Sequence, residues 1–351
     1  MAASILDATT AATTAQPRRR QRVFSGIQPS GNFHIGNYLG AIRNWVAQQE
    51  TYDSVFCIVD LHALSLPTTR DALRTNTHAL ADVLLAAGLD PARSILFVQS
   101  AVREHAECCW LLNSVTQFGE LRRMVQFKDK SAGQDEAVSV ALFDYPVLQA
   151  ADILLYDADL VPVGDDQRQH IELTRDIAER FNARYGDTFV LPKPDIKPQG
   201  ARIMALDDPT KKMSKSASSP GSYIALTDDA DTIARKIRRA VTDSGSDIVT
   251  GPDKPALTNL VGIYALFADE AVREVEERFR GLGYGAFKND LAEVIVAALA
   301  PIQARLADLD ADPGEAPRVL ARGAERAHAV ASAKMNLVRD RMGLGMPTPS
   351  A

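Results

Sequence analysis

From Val23 the apolar residues fall into short compact runs separated by stretches with a helical repeat. "VFSGIQ", "SVFCIVD" (54–60) and "SILFVQS" (94–100) are rich in Val, Ile and Phe, and helical sequence precedes the last two. This alternation predicts a parallel sheet whose strands are joined by crossover helices. "DLVPV" (159–163) predicts a further strand and leads into "GDDQRQHIELTRDIAERFNARYG". There Ile171, Thr174, Ile177 and Phe181 recur at helical spacing, and Gly186 marks the helix end. "LPKPDIKPQG" (191–200) reads as a proline-rich connector and "SASSPGS" (216–222) as a flexible loop. From Asp228 onward the pattern is helical, with no further convincing strand and no internal repeat. The expected fold is α/β: a doubly wound parallel sheet over 23–221, then an all-helical domain over 222–345 and a tail at 346–351.

One helical stretch breaks its own pattern. In "YPVLQAADILLY" (145–156), Pro146 suits a first helical turn, and Val147, Leu148, Ile153, Leu154 and Leu155 cover nearly the whole circumference. Asp152 is therefore expected to be buried, which costs several kcal/mol unless the carboxylate is paired. Tyr145, Gln149, Asp152 and Tyr156 share one face by helical spacing, giving a phenol, an amide and a carboxylate that form a poor core and a plausible polar pocket.

Composition narrows the class. The 351 residues are 46% hydrophobic and carry a net charge of −6, as in ordinary globular proteins, and no apolar run is long enough to span a membrane. A global basic field is absent, but "RRRQR" (18–22), "KKMSK" (211–215) and "RKIRR" (235–239) are local patches that suit either a polyanion or open solvent. Three cysteines and six scattered histidines form neither a disulfide framework nor a metal-ligand spacing, which points to a reducing compartment. The first 22 residues, rich in Ala and Thr, lack the apolar core of a secretory signal. They are expected to form a disordered extension, with an organelle transit peptide as the alternative.

Two segments carry recognisable chemistry. In "FSGIQPSGNFHIGNYLGAI" (24–42), Phe24, Gly26 and Gln28 alternate onto one face of a strand, and Gly26 lets a ligand lie against the backbone. The chain then enters a helix near Gly36, where exposed N–H groups favour a phosphate, flanked by His34 and Asn37. In "KKMSKS" (211–216), several ammonium groups suit a polyphosphate whose charge grows during displacement.

Together these resemble the two signatures of class I aminoacyl-tRNA synthetases: His34-Ile35-Gly36-Asn37 the HIGH motif, and Lys212 to Ser216 the KMSKS loop. "SGIQPSG", "GELRRMVQFKDKSAG", "PVGDDQRQHIELTRDIAERFN", "ARIMALDDPTKKMSKS" and "KIRRAVTDS" are similar to the bacterial-type tryptophanyl-tRNA synthetases, from Phe24 to the last helix. The resemblance implies a Rossmann-like catalytic domain, a helical domain that carries the anticodon end of tRNA(Trp), a homodimer and a cytoplasmic enzyme. Substrates would be L-tryptophan and ATP, with Mg²⁺.

It also implies roles. Gln28, Pro29, Ser30, His34, Gly36, Asn37, Gly164, Asp165, Asp166, Ile203, Met213, Ser214 and Ser216 would surround ATP, with Asp166 on the ribose and the Ile203 backbone on adenine. Lys130, Lys212 and Lys215 would hold the phosphates. Tryptophan would lie among Phe24, Gly26, Gln28, His62, Tyr145, Gln149, Asp152, Val163 and Gln167, its ammonium near Tyr145 and Gln167 and its indole N–H on Asp152. Arg235, Lys236, Arg238 and Arg239 would contact tRNA phosphates, or else pair with Asp228, Asp229 and Asp231.

Gln149 stands where many tryptophan enzymes carry Met, and Tyr-x-x-x-Gln-x-x-Asp also resembles tyrosyl-tRNA synthetases. Phe24 on the first strand, the loop Gly164-Asp165-Asp166-Gln167 and "IVDLHAL" with His62 lean toward tryptophan. A tyrosine enzyme and a synthetase-like regulator that charges no tRNA are the alternatives.

Overall fold

The computed structural model describes residues 20–31, 33–125, 138–196, 202–214 and 219–345. The first nineteen residues, the expected phosphate ligands Lys130 and Lys215, and Ser216 of the expected ATP site lie outside these. Five parallel strands form one sheet: β1 (Arg22–Ile27), β2 (Asp53–Ile58), β3 (Ile95–Val98), β4 (Leu160–Pro162) and β5 (Lys193–Asp195), in the order β3-β2-β1-β4-β5. β2 reads as an unbroken apolar run because helices cover both faces of such a sheet; Val55, Phe56, Cys57 and Ile58 are all buried. The chain crosses sides between β1 and β4, so their carboxyl ends open a crevice where ligands bind in doubly wound sheets.

Two local expectations are corrected. The proline-rich connector contains β5, in which Pro194 pairs with Val161. β5 is an edge strand with β4 on one side only, where the missing proline N–H removes no ladder bond. The helix carrying Asp152 begins at Val140, capped by the Ser139 hydroxyl accepting from Leu142 N–H at 3.2 Å. Pro146 therefore lies inside that helix, Val140–Leu154, rather than in its first turn.

The rest of the chain is helical: Ala230–Arg239, Pro255–Ala268, Val272–Arg278, Gly283–Ala311 and Glu315–Met342. One apolar core runs from Ile35, Ile42, Leu80 and Leu84 beneath the sheet into Ile233, Leu257, Leu260, Ile295 and Leu299 of these helices. A second core, on the other face, joins Phe24, Phe97, Tyr156, Ile171 and Phe181 to Ala327, Ala331 and Met335. The last helix thus returns to the sheet and covers the β3 edge. There a Cβ at Gly323 would overlap the Leu96 carbonyl oxygen, and Arg326 donates to the carbonyls of Pro91 (2.7 Å) and Ser94 (2.9 Å). Among the described residues, no helix is long and apolar enough to cross a membrane, and all three cysteines are buried and free.

Candidate active site

The β1 loop fixes the first wall of the crevice. Gly31, at φ 86°, turns the chain in a conformation that favours glycine, and His34 then caps a helical turn, Ile35–Asn37. The His34 Nδ1 accepts from Gly36 N–H at 3.1 Å, and His34 N–H donates to Asn37 Oδ1 at 3.1 Å. With Nδ1 an acceptor, the neutral ring carries its proton on Nε2, a donor suited to phosphate oxygen. A Cβ at Gly36 would come 2.9 Å from His34 Nδ1, so glycine is needed for the ring to close over the turn. The next residues, Tyr38–Ile42, form a π-helical turn, a feature common at functional sites.

The β4 loop forms the opposite wall. Val163 N–H donates to the Asp195 carbonyl at 3.4 Å, and a 3₁₀ turn spans Asp165–Gln167. Gln167 Nε2 donates to Asp166 Oδ2 at 2.9 Å, while Arg168 pairs with Asp165 at 2.8 Å. A Cβ at Gly164 would sit 2.5 Å from Asp166 Oδ1, so the glycine lets this carboxylate fold back over its own loop. Gly26, Gln28, Ser30, Gly164, Asp165 and Asp166 are all exposed at these strand ends, and Pro29 is buried behind them.

The lysine-rich segment is a short hairpin. Met204 and Lys212 form an antiparallel bridge, Met213 N–H donates to the Ile203 carbonyl at 2.9 Å, and Ala205 N–H donates to the Lys211 carbonyl at 2.9 Å. Met213 is buried, with its Cβ 3.6 Å from where a Gly36 Cβ would stand, so the two signature segments meet. Ile35 N–H also donates to the Ile224 carbonyl at 3.0 Å, tying the first segment to the chain beyond the loop. Lys212 is exposed; Lys211 instead pairs with Asp208 at 2.9 Å. Hydrogen bonds from Thr210 first and Lys211 second pull the Asp208 carboxyl down to about 2. Ser214 is half-buried at the end of the hairpin.

The floor is an ionic cluster around Asp152, which is 1% exposed. Oδ2 accepts from His62 Nε2 at 2.8 Å, and Oδ1 accepts from Gln99 Nε2 and His105 Nδ1, each at 2.6 Å. His105 Nε2 in turn meets the Tyr156 hydroxyl at 2.8 Å, and Gln99 Oε1 accepts from Leu61 N–H at 3.1 Å. Burial alone would raise the Asp152 carboxyl, but the His105 and His62 hydrogen bonds and charges outweigh it and hold the group below its ordinary range. Phe24 stacks on the buried Tyr156 ring, with centroids 5.6 Å apart and planes at 9°, and also lies 3.8 Å from where a Gly26 Cβ would be. Tyr145 Oη meets His170 Nε2 at 2.8 Å, its ring lies 6.3 Å from that of His62 with the planes at 75°, and burial pushes its phenol up to about 12. Gln149 is half-buried one turn before Asp152, and Val163 is half-buried at the β4 end.

Asp152 is therefore not held by ligand alone: the folded chain supplies three donors. A carboxylate this deep cannot wait unpaired for an indole, because folding itself must compensate its lost hydration. Nor are the partners the lysine or arginine that burial usually demands. Gln99, His105 and His170 escape sequence reading. Gln99 was findable, since it follows β3 at the sheet's ligand-binding end, whereas nothing local marks His105 or His170. Lys236 is also reassigned: it pairs with Asp228 at 2.6 Å and lies 5.0 Å over the Tyr223 ring, whereas Arg235, Arg238 and Arg239 are exposed.

Residues 16–300 match the family model of class I tRNA synthetases (W and Y). The tryptophan–tRNA ligase of Caldanaerobacter subterraneus is 55% identical over 325 residues, covering 92% of this chain and 98% of its own. The tryptophanyl-tRNA synthetase structure from Mycoplasma pneumoniae superposes with a TM-score of 0.82 at 36% identity, covering 93% of this chain and 98% of that one. The Campylobacter jejuni enzyme, solved with ADP and tryptophan, gives 0.80 at 36% identity, covering 92% and 100%. With two signature segments in contact at the switch point and matches spanning nearly its whole length, the chain belongs to the class I tRNA synthetases of the W and Y type.

Proposed function

We propose that this enzyme is a tryptophan–tRNA ligase. It joins L-tryptophan to ATP, releasing pyrophosphate, and passes the activated tryptophan to the terminal ribose of tRNA(Trp). The observation that carries the reading is the meeting of Gly36 and Met213, which brings a helix start and a lysine hairpin to one crevice beside the Asp152 cluster. The extent of identity to a tryptophan–tRNA ligase selects tryptophan over tyrosine.

In the first step an oxygen of the tryptophan carboxylate bonds to the α-phosphorus, the bond to the bridging oxygen breaks, and pyrophosphate leaves. No side chain needs to act as a covalent nucleophile; positioning and charge stabilisation supply the rate. His34 Nε2–H and the Gly36 turn receive phosphate oxygens, with Asn37 and Gln28 beside them. Asp166 takes the ribose, the Ile203 backbone faces adenine, and Lys212, Lys215 and Lys130 balance the charge of the departing pyrophosphate. Pro29, Ser30, Gly164, Asp165, Met213 and Ser214 complete the walls of the nucleotide site, and the family resemblance extends the same role to Ser216. Among the described residues no group of three acidic, histidine or cysteine side chains could hold a metal. Mg²⁺ would come with ATP as part of the substrate and would offset the charge of the phosphates.

Tryptophan lies over Gly26 between β1 and the helix Val140–Leu154, with Tyr145 and Gln167 on its ammonium and Phe24, His62, Gln149 and Val163 around the ring. Three of the roughly four acceptor directions of the Asp152 carboxylate are taken by the chain, which leaves one for the indole N–H. Arg235, Arg238 and Arg239 receive tRNA phosphates from the helical domain. A second copy of the chain covers exposed apolar side chains, Trp110 (76% exposed) and Val140 (80% exposed) foremost among them. Incubation with ATP, tRNA(Trp) and labelled tryptophan should give acid-precipitable tryptophanyl-tRNA; activation without any charging would overturn the ligase assignment.

A further inference from the structure

The helix Pro255–Ala268 touches the hairpin that carries the second signature segment and the helical turns that continue the first. Near its start, Asn259 closes two hydrogen bonds on one residue: Met204 N–H donates to Oδ1 at 2.8 Å, and Nδ2 donates to the Met204 carbonyl at 3.0 Å. Met204 lies between Ile203 and Ala205, whose polar groups face Met213 and Lys211. Backbone groups alternate sides along an extended strand, so Met204 points its N–H and carbonyl the other way. The Asn259 amide stands there as a one-residue substitute for a third strand.

At the far end of the same helix, Phe267 stacks on Tyr38 with centroids 6.2 Å apart and planes at 18°. Arg43 donates to the Leu266 carbonyl and pairs with Asp269 at 2.9 Å. Tyr38 and Arg43 continue the helical segment that His34 caps. The helix also packs against Val272–Arg278 and Gly283–Ala311, the body of the helical part. Beside Asn259 a cleft of about 370 Å³, bordered by Arg202, Pro209, Pro252 and Gly262, opens between helix and hairpin. Ile203, Leu206 and Met213 share one apolar core with Leu257, Leu260 and Val261 of this helix, and the amide pair adds the directional tie that apolar packing does not supply.

We propose that Asn259 is a positioning residue for adenylate formation. It fixes the hairpin bearing Ile203 and Lys212 to a helix that braces the opposite signature, so any shift of the helical domain reaches the ATP site. The inference rests on the ligase reading. Asn259→Asp is isosteric and keeps the acceptor for Met204 N–H, but sets an oxygen against the Met204 carbonyl. In tryptophan-dependent pyrophosphate exchange, this variant should raise KM for ATP about fivefold or more while KM for tryptophan stays within about twofold. Asn259→Ala should shift the same parameter in the same direction.

A separate readout does not depend on catalysis. Amide hydrogen exchange at Ala205 and Met213 should quicken about tenfold in the Asp variant, with β1 and β2 amides unchanged. Unchanged hairpin amides, an unchanged KM for ATP, or equal rises for ATP and tryptophan overturn the proposal. A parent chain that exchanges no pyrophosphate with tryptophan refutes the ligase reading instead, and the amide measurement still decides the role of Asn259.

Discussion

Removing the Asp152 carboxylate tests whether it is a structural ion as well as a ligand contact. Asp152→Ala takes the acceptor from three buried donors, His62 Nε2, Gln99 Nε2 and His105 Nδ1. Each buried donor left unpaired costs about 1–3 kcal/mol, and water entering the vacated space recovers part of that. The net loss should be about 3–5 kcal/mol, the scale seen when one partner of a buried pair is deleted. Asp152→Asn should lose only about 1–2 kcal/mol. Its one oxygen still accepts from Gln99 and His105, and its NH₂ can donate to His62 once that ring moves its proton to Nδ1. Urea unfolding followed by fluorescence measures both. The sign of the pH dependence follows from the lowered carboxyl: its contribution is present above the unfolded value of about 3.9 and is lost as pH falls through the folded value. The acid limb of the stability curve should therefore flatten in Asp152→Asn. An Asp152→Ala protein within about 0.5 kcal/mol of the parent, impaired only in tryptophan binding, would show that the acid idles until substrate arrives.

Three further outcomes follow from the packing and the exposed cations. Gly323→Ala forces a methyl into the Leu96 carbonyl, so the last helix must back away from β3, at a cost of about 3 kcal/mol or more in urea unfolding; an unchanged midpoint would contradict that contact. Gly164→Ala should displace Asp166 and raise KM for ATP in pyrophosphate exchange, leaving KM for tryptophan nearly unchanged, whereas equal effects would argue against a ribose role for this acid. Replacing Arg235, Arg238 and Arg239 together by alanine should weaken tRNA binding and reduce the slope of log affinity against log salt by about 2–3, and an unaltered slope would remove that surface from the tRNA path.

Much of this was legible in the sequence because strands β1 to β4 are short apolar runs and the long helices have a regular repeat. β5 was not, because two of its three residues are Lys and Asp and the third is proline, which only an edge position accommodates. The helix start at Val140 was hidden by the proline six residues later, which reads locally as a beginning. Asp152 announced itself as a lone acid among apolar neighbours, but its partners come from "LHAL", from the end of β3 and from the helix Glu104–Asn113. Only the closed sheet brings these together. The same holds for Asn259, an unremarkable helical residue until the hairpin folds against it.

Activation of tryptophan by this enzyme is decided by ATP–pyrophosphate exchange run separately with L-tryptophan and L-tyrosine. Exchange should depend on tryptophan, with tyrosine at background. Exchange with tyrosine instead, or with neither amino acid, would contradict the ligase reading.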